Sequence, residues 1–191
     1  MGRPKNFEPD EVVAQAMEAF WSNGYGETSP ADLVDATGVP KGSLYHAFGS
    51  KRELFGQALD LYGRTGSEVT EEYLARPGTA KERIREYLVF LVDQDLSGPV
   101  RRGCLAANTA LELGGRDEAA TKAVHRMTQR SIELLAARIE QGKRDGDVAA
   151  EVDAKAQAHV LMTTILGLRV MAKTFDGPTL HRVIDTALAG L

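Results

Sequence analysis

Apolar residues recur along this chain with the period of helices, and no segment carries a convincing strand pattern. Val13, Ala16, Met17, Phe20 and Trp21 stand at i, i+3, i+4, i+7 and i+8, the stripe of an amphipathic helix, with Pro9 near its start and Gly24 near its stop. Ser29-Pro30-Ala31-Asp32 supplies an N-cap, a proline at the first helical position and an acid three residues on. A second, short helix therefore runs through Leu33 and Val34 to about Thr37, and Gly38 offers the left-handed residue for a sharp turn. A third helix follows from Val39, with Val39, Leu44 and Phe48 as its apolar set, and ends near Gly49. Ser50-Lys51-Arg52-Glu53 is a capping box, in which Ser50 accepts from the Glu53 amide and the Glu53 carboxylate reaches back. The fourth helix thus begins at once and carries Leu54, Phe55, Ala58, Leu61 and Tyr62.

Beyond Pro77-Gly78, a second capping box, Thr79-Ala80-Lys81-Glu82, opens a helix with Ile84, Leu88, Leu91 and Val92 on one face. Ser97-Gly98-Pro99 ends it. A helix from about Gly103 to Leu113 is predicted next, then a longer one from about Glu118 to Gln141 bearing Val124, Met127, Leu134, Leu135 and Ile139, then a loop over residues 142–146. From Asp153 to Phe175 the chain is apolar nearly all round, and such a helix must be covered on several sides, most simply by a second subunit. The last helix, after Gly177-Pro178, returns to a clean stripe. Leu161, Ile165 and Leu168 on the one, with Leu180, Ile184 and Leu188 on the other, form the predicted dimer interface. The fold class is all-α, with about nine helices: a three-helix helix-turn-helix module over residues 1–52 and a helical body over 53–191.

Composition narrows the function by exclusion. The 191 residues are 43% hydrophobic and 26% charged, ordinary for a folded protein. No apolar run approaches the ~18 residues of a membrane span, and Met1-Gly2-Arg3-Pro4-Lys5 lacks the apolar core of a signal peptide, which points to the cytoplasm. One cysteine, Cys104, rules out an internal disulfide framework. His46, His125, His159 and His181 have no metal-ligand spacing, so neither metal nor cofactor is expected. Phosphate loop, nucleophile elbow and H-E-x-x-H are all missing, which argues against an enzyme. The net charge is −4, and residues 1–55 hold five cations against eight anions. Those cations lie only at the extreme N-terminus and around the third helix, giving one basic face and, with few phosphate contacts, weak non-specific DNA binding.

Thr28-Ser29-Pro30-Ala31-Asp32-Leu33, Ala36-Thr37-Gly38-Val39, Lys41-Gly42-Ser43-Leu44-Tyr45-His46-Ala47-Phe48 and Ser50-Lys51-Arg52-Glu53-Leu54 together resemble the N-terminal module of TetR-type bacterial transcriptional regulators. The remainder resembles that family only in helical layout. The resemblance implies a homodimer holding two helix-turn-helix modules against a palindromic operator in double-stranded DNA, and a helical body that binds a small-molecule effector and dimerises. Repression relieved by the effector is the main expectation; activation or effector-independent regulation stays open.

The residues of the third helix suit that partner. Pro40 presents an apolar edge to a thymine methyl, and Lys41 can donate to guanine O6 and N7 or to a phosphate. Gly42 removes a side chain where backbone must approach the duplex, and Ser43 and His46 can share one groove-facing surface. The family motif implies phosphate contacts for Tyr45, Thr28 and Lys51. Arg3 and Lys5 belong to an arm that could enter the minor groove or remain an unengaged tail. The competing readings are that Tyr45 simply packs against the first helix and that Lys41 and Lys51 are solvated charges.

Cys104, in Arg101-Arg102-Gly103-Cys104-Leu105, falls where a helix begins beside two arginines, which would favour its thiolate and make it a candidate sensor. The run is similar to that of the subgroup that includes the repressor of N-ethylmaleimide reductase, where this cysteine senses electrophiles. A small buried hydrophobe is the competing reading. The family layout implies an effector pocket lined by Phe90, Cys104, Asn108, Leu111, Glu112, Met127, Thr163, Gly167 and Phe175. Asn108 and Glu112, i and i+4 on an otherwise apolar helix, are its best polar candidates.

Overall fold

The computed structural model describes residues 7–191, which form helices α1 (Pro9–Asn23), α2 (Pro30–Thr37), α3 (Lys41–Phe48), α4 (Lys51–Ala75), α5 (Ala80–Ser97), α6 (Leu105–Leu113), α7 (Glu118–Asp145), α8 (Ala154–Met171) and α9 (Gly177–Ala187). No strand occurs among the described residues. The chain builds two cores. The first joins α1 to α3 with the starts of α4, α6 and α7, around the fully buried Phe20, Leu33, Leu44 and Leu54. The second joins α5, α7, α8 and α9, around Ile84, Leu88, Leu135, Ile139, Leu161 and Ile184. Helix α4 belongs to both, giving Leu54, Phe55, Ala58 and Leu59 to the first and Leu74 to the second. Its 25 residues make a beam roughly 37 Å long.

Helix starts follow their local chemistry. Ser29 Oγ accepts from the Asp32 amide at 3.2 Å and the Asp32 carboxylate accepts from the Ser29 amide at 2.7 Å. Those bonds to Ser29 hold the Asp32 carboxyl below its ordinary value. Thr79 and Glu82 repeat the arrangement at α5. At α4 it differs from expectation: Ser50 Oγ accepts from the Glu53 amide at 3.2 Å, but the carboxylate takes the Ser50 hydroxyl at 2.8 Å, because the Ser50 amide already donates to Phe48 O. Gly38 is left-handed (φ 65°), as the α2–α3 turn requires.

Three further expectations change. Helix α3 begins at Lys41, with Pro40 outside it as the capping residue. Helix α7 runs straight through Gly142 to Asp145. A Cβ at Gly142 would lie 2.7 Å from both Ala80 Cβ and Val148 Cγ2, so this glycine permits close packing, and Gly146 (φ 81°) is the stop. Helix α8 is two-faced. Leu161, Ile165 and Leu168, with Leu180, Ile184 and Leu188 of α9, are all buried within the protomer, where α5, α7, α8 and α9 cover one another. These six predicted interface residues are therefore core, and the exposed side of α8 carries Ala156, Val160, Thr163, Gly167 and Val170.

Candidate nucleic-acid interface and effector cavity

The inward residues of α3, Leu44 and Phe48, anchor it against the first core, which leaves Lys41, Gly42, Ser43 and His46 exposed beside the exposed Pro40. A Cβ on Gly42 would meet nothing within 4 Å, so the protein itself does not demand glycine there. Tyr45 is half-buried against the first core. Thr28 is fully buried and its hydroxyl donates to Gly24 O at 2.6 Å, which takes that side chain away from any phosphate. Lys51 is half-buried; its Nζ donates to Gly26 O at 3.4 Å and sits 4.5 Å from the centre of the Tyr25 ring. Arg3 and Lys5 lie outside the described residues.

A set of polar ties joins this module to the body. The Glu112 carboxylate, near the end of α6, accepts from the Tyr25 amide at 2.9 Å and from the Gly26 amide. Arg52 forks onto Asp117 at 2.8 and 3.0 Å. Asp117 also caps α7 through the Ala120 amide, and that bond, with Arg52, lowers its carboxyl below the ordinary value. Arg102 pairs with Glu18 and lies 4.1 Å from the centre of the Trp21 ring.

Between α1, α4, α5, α7 and α8 lies a cavity of about 210 Å³. Its walls are mainly carbon, with the rings of Trp21, Tyr62, Tyr87 and Phe90 prominent. Phe90, Cys104 and Met127 of the predicted set reach it; the other six do not. Asn108 donates to Arg102 O at 3.0 Å and accepts from Lys173 at 3.2 Å, and Glu112 serves the clasp just described. Leu111 and Phe175 are 78% and 45% exposed, and Thr163 and Gly167 stand on the open side of α8.

Cys104 caps α6 and is 8% exposed, on the cavity wall, with the Tyr62 hydroxyl donating to its Sγ at 3.5 Å. The flanking arginines expected to favour its thiolate point elsewhere: Arg101 donates to Ala172 O and Phe175 O, and Arg102 serves Glu18. The cation near it is Arg169, whose Nη1 donates to Tyr62 Oη at 3.1 Å. Arg169 also binds Asp95 through Nε at 2.8 Å and Nη2 at 2.7 Å, and Nη2 donates to Gly103 O at 3.0 Å. Burial alone would lower the Arg169 pKa, but the bonds to Asp95 and the neighbouring Tyr62 and Cys104 raise it. Burial, with Cys104 beside it, pushes the Tyr62 phenol well above its ordinary value.

Sequence reasoning missed Arg169 and Asp95, though a signal exists. Asp95 continues the buried stripe Leu88, Leu91, Val92 of α5, and Arg169 interrupts an apolar helix, two charges of opposite sign on inward faces. Among the described residues no group of His, Cys, Asp and Glu could hold a metal ion, and no helix is long and apolar enough to cross a membrane.

Family models match twice: residues 12–58 to bacterial regulatory proteins of the tetR family, and residues 80–188 to the tetracyclin repressor-like C-terminal domain. The HTH-type transcriptional repressor ComR of Escherichia coli (strain K12) is 30% identical over 97% of this chain and 88% of its own. The repressor NemR of the same organism is 26% identical over 86% of this chain and 83% of its own. A cysteine mutant of the regulator CifR, solved with 26-base-pair operator DNA, superposes with a TM-score of 0.88 at 34% identity, covering 98% of each chain.

Proposed function

The chain belongs to the TetR family of bacterial transcriptional regulators, and from that premise we propose that it is a cytoplasmic repressor whose homodimer holds two copies of α3 against a palindromic operator and releases it when a small molecule or electrophile enters the cavity. The observation that carries this is the exposed face of Pro40, Lys41, Gly42, Ser43 and His46, set on a helix whose other side is locked into the first core. Tyr45 and Lys51 at its rim are the phosphate contacts. Residues 1–52 are the DNA-binding unit and 53–191 the effector-binding and dimerising one, with α4 as the shared beam.

Dimerisation falls to the open side of α8, where Ala156, Thr163 and Gly167 are small and Val160 and Val170 are 52% and 46% exposed. Such a face suits close approach by the same helix of a second copy. Transmission runs through α6, whose capping residue Cys104 and first-turn Ala106 line the cavity and whose last turn holds the α1–α2 turn through Glu112. A ligand that displaces α6 or α4 re-aims α3 and changes the spacing of the two recognition helices.

Selection of bound fragments from random double-stranded DNA tests the reading. A palindrome with half-sites about one or more helical turns apart is the expected outcome, and a single asymmetric site would overturn the dimeric arrangement. Maleimide labelling of the native protein at neutral pH tests Cys104, and labelling only after denaturation would remove the electrophile route.

A further inference from the structure

Most of the cavity wall is apolar, and among the described residues its single charged side chain is Arg169. That charge is already matched. Asp95 takes Nε and one Nη2 hydrogen in a two-pronged bond, Gly103 O takes the other Nη2 hydrogen, and Tyr62 Oη takes one of Nη1. Of the five guanidinium N–H groups, one on Nη1 is left without a partner. Arg169 and Asp95 have side chains only 7% and 4% exposed, so water does little to soften a third charge placed beside them.

We propose that this cavity selects uncharged ligands, and that Asp95 is the residue that sets the selectivity, by neutralising the Arg169 guanidinium that would otherwise attract a ligand carboxylate. The inference rests on the reading of the cavity as the effector site. An anionic ligand would meet a guanidinium already neutralised, with the Asp95 carboxylate close behind it. A cationic ligand would find the Asp95 carboxylate already paired, with the guanidinium standing between them. Either ion would leave water for a mostly carbon-walled space without gaining a counter-ion. A neutral ligand loses far less, and one acceptor oxygen on it can take the remaining Nη1 hydrogen. The rings of Trp21, Tyr62, Tyr87 and Phe90 favour a flat apolar body attached to that acceptor.

Three probes with one ring system test this by calorimetry on the full-length protein at pH 7: 2-naphthol, 2-naphthoate and 2-naphthylmethylammonium. The wild type is expected to bind naphthol about tenfold or more tighter than either ion, a difference of about 1.4 kcal/mol. Ions that bind as tightly as naphthol, or a cavity that takes none of the three, would overturn the proposal. The Asp95→Asn variant keeps the shape but frees the guanidinium, so the order is expected to invert, with naphthoate about tenfold ahead. Naphthol still leading in that variant would remove Asp95 as the determinant. Where the variant is too unstable for calorimetry, thermal melts give the same reading: naphthoate should raise its melting temperature more than naphthol, and the reverse overturns the assignment. Operator release, measured separately, divides the two claims. Naphthol that binds the wild type without loosening DNA supports the selectivity while ending the cavity's role as effector site.

Discussion

In the N-terminal module the polar residues proposed to meet DNA stand outside the core, whereas in the body a pair of opposite charges stands inside it. Lys41, Ser43 and His46 project from α3 over a core of Phe20, Leu33 and Leu44 that contains no charge. Arg169 and Asp95 lie with Leu88, Leu91, Leu161 and Leu168 on the inward sides of α5 and α8. An exposed site can be altered with little effect on the fold, because solvent replaces whatever contact is lost. A buried charge pair is tied to stability, since an unmatched charge in the body has no water to turn to.

The largest expected effect comes from adding a charge to the body. Leu168→Glu places a carboxylate at a position 2% exposed, and should unfold the chain, read by circular dichroism, where an interface position would have given folded monomers. Arg169→Met leaves Asp95 unpaired and should cost about 3–5 kcal/mol in chemical denaturation, with an apolar replacement of both partners recovering most of it. Lys41→Ala should leave stability within about 0.5 kcal/mol of wild type while weakening operator binding by about 1–3 kcal/mol, confined to particular base pairs. A loss spread evenly over all sequences would move Lys41 from base reading to phosphate contact.

Between the regions, Glu112→Ala removes the acceptor for two module amides and should cost about 1 kcal/mol. Hydrogen exchange should then quicken at Tyr25 and Gly26 ahead of the rest of the module. The smallest effect is the pH dependence of the caps. The Asp32, Glu82, Asp117 and Asp176 carboxyls titrate below their ordinary values of 3.8 for Asp and 4.5 for Glu, chiefly through hydrogen bonds made at helix starts. A depressed carboxylate stabilises the fold above its unfolded pKa and loses that contribution as pH falls through the folded one. Stability should therefore drop below about pH 4.5, and Asp32→Asn should flatten part of that slope.

What could be read from the chain was decided within a few residues. The starts of α2, α4 and α5 were legible because Ser29, Ser50 and Thr79 bond an amide three residues on. The end of α7 was not, because Gly142 is enclosed by Ala80 and Val148, and nothing local separates a packing glycine from a terminating one. Glu112 carried a polar signal whose partners, in the α1–α2 turn, are more than eighty residues away.

By itself the sequence determined an all-helical chain, its caps, and the outward polar face of α3, since periodicity and capping act through bonds spanning one or two turns. The tertiary structure alone decided which leucines of α8 and α9 are core, which aromatic rings share a cavity, and that Arg169 on its wall meets Asp95 behind it. Those outcomes depend on helices distant in sequence closing on one another, and burial is a property of the closed assembly, with no counterpart in any single stretch of chain.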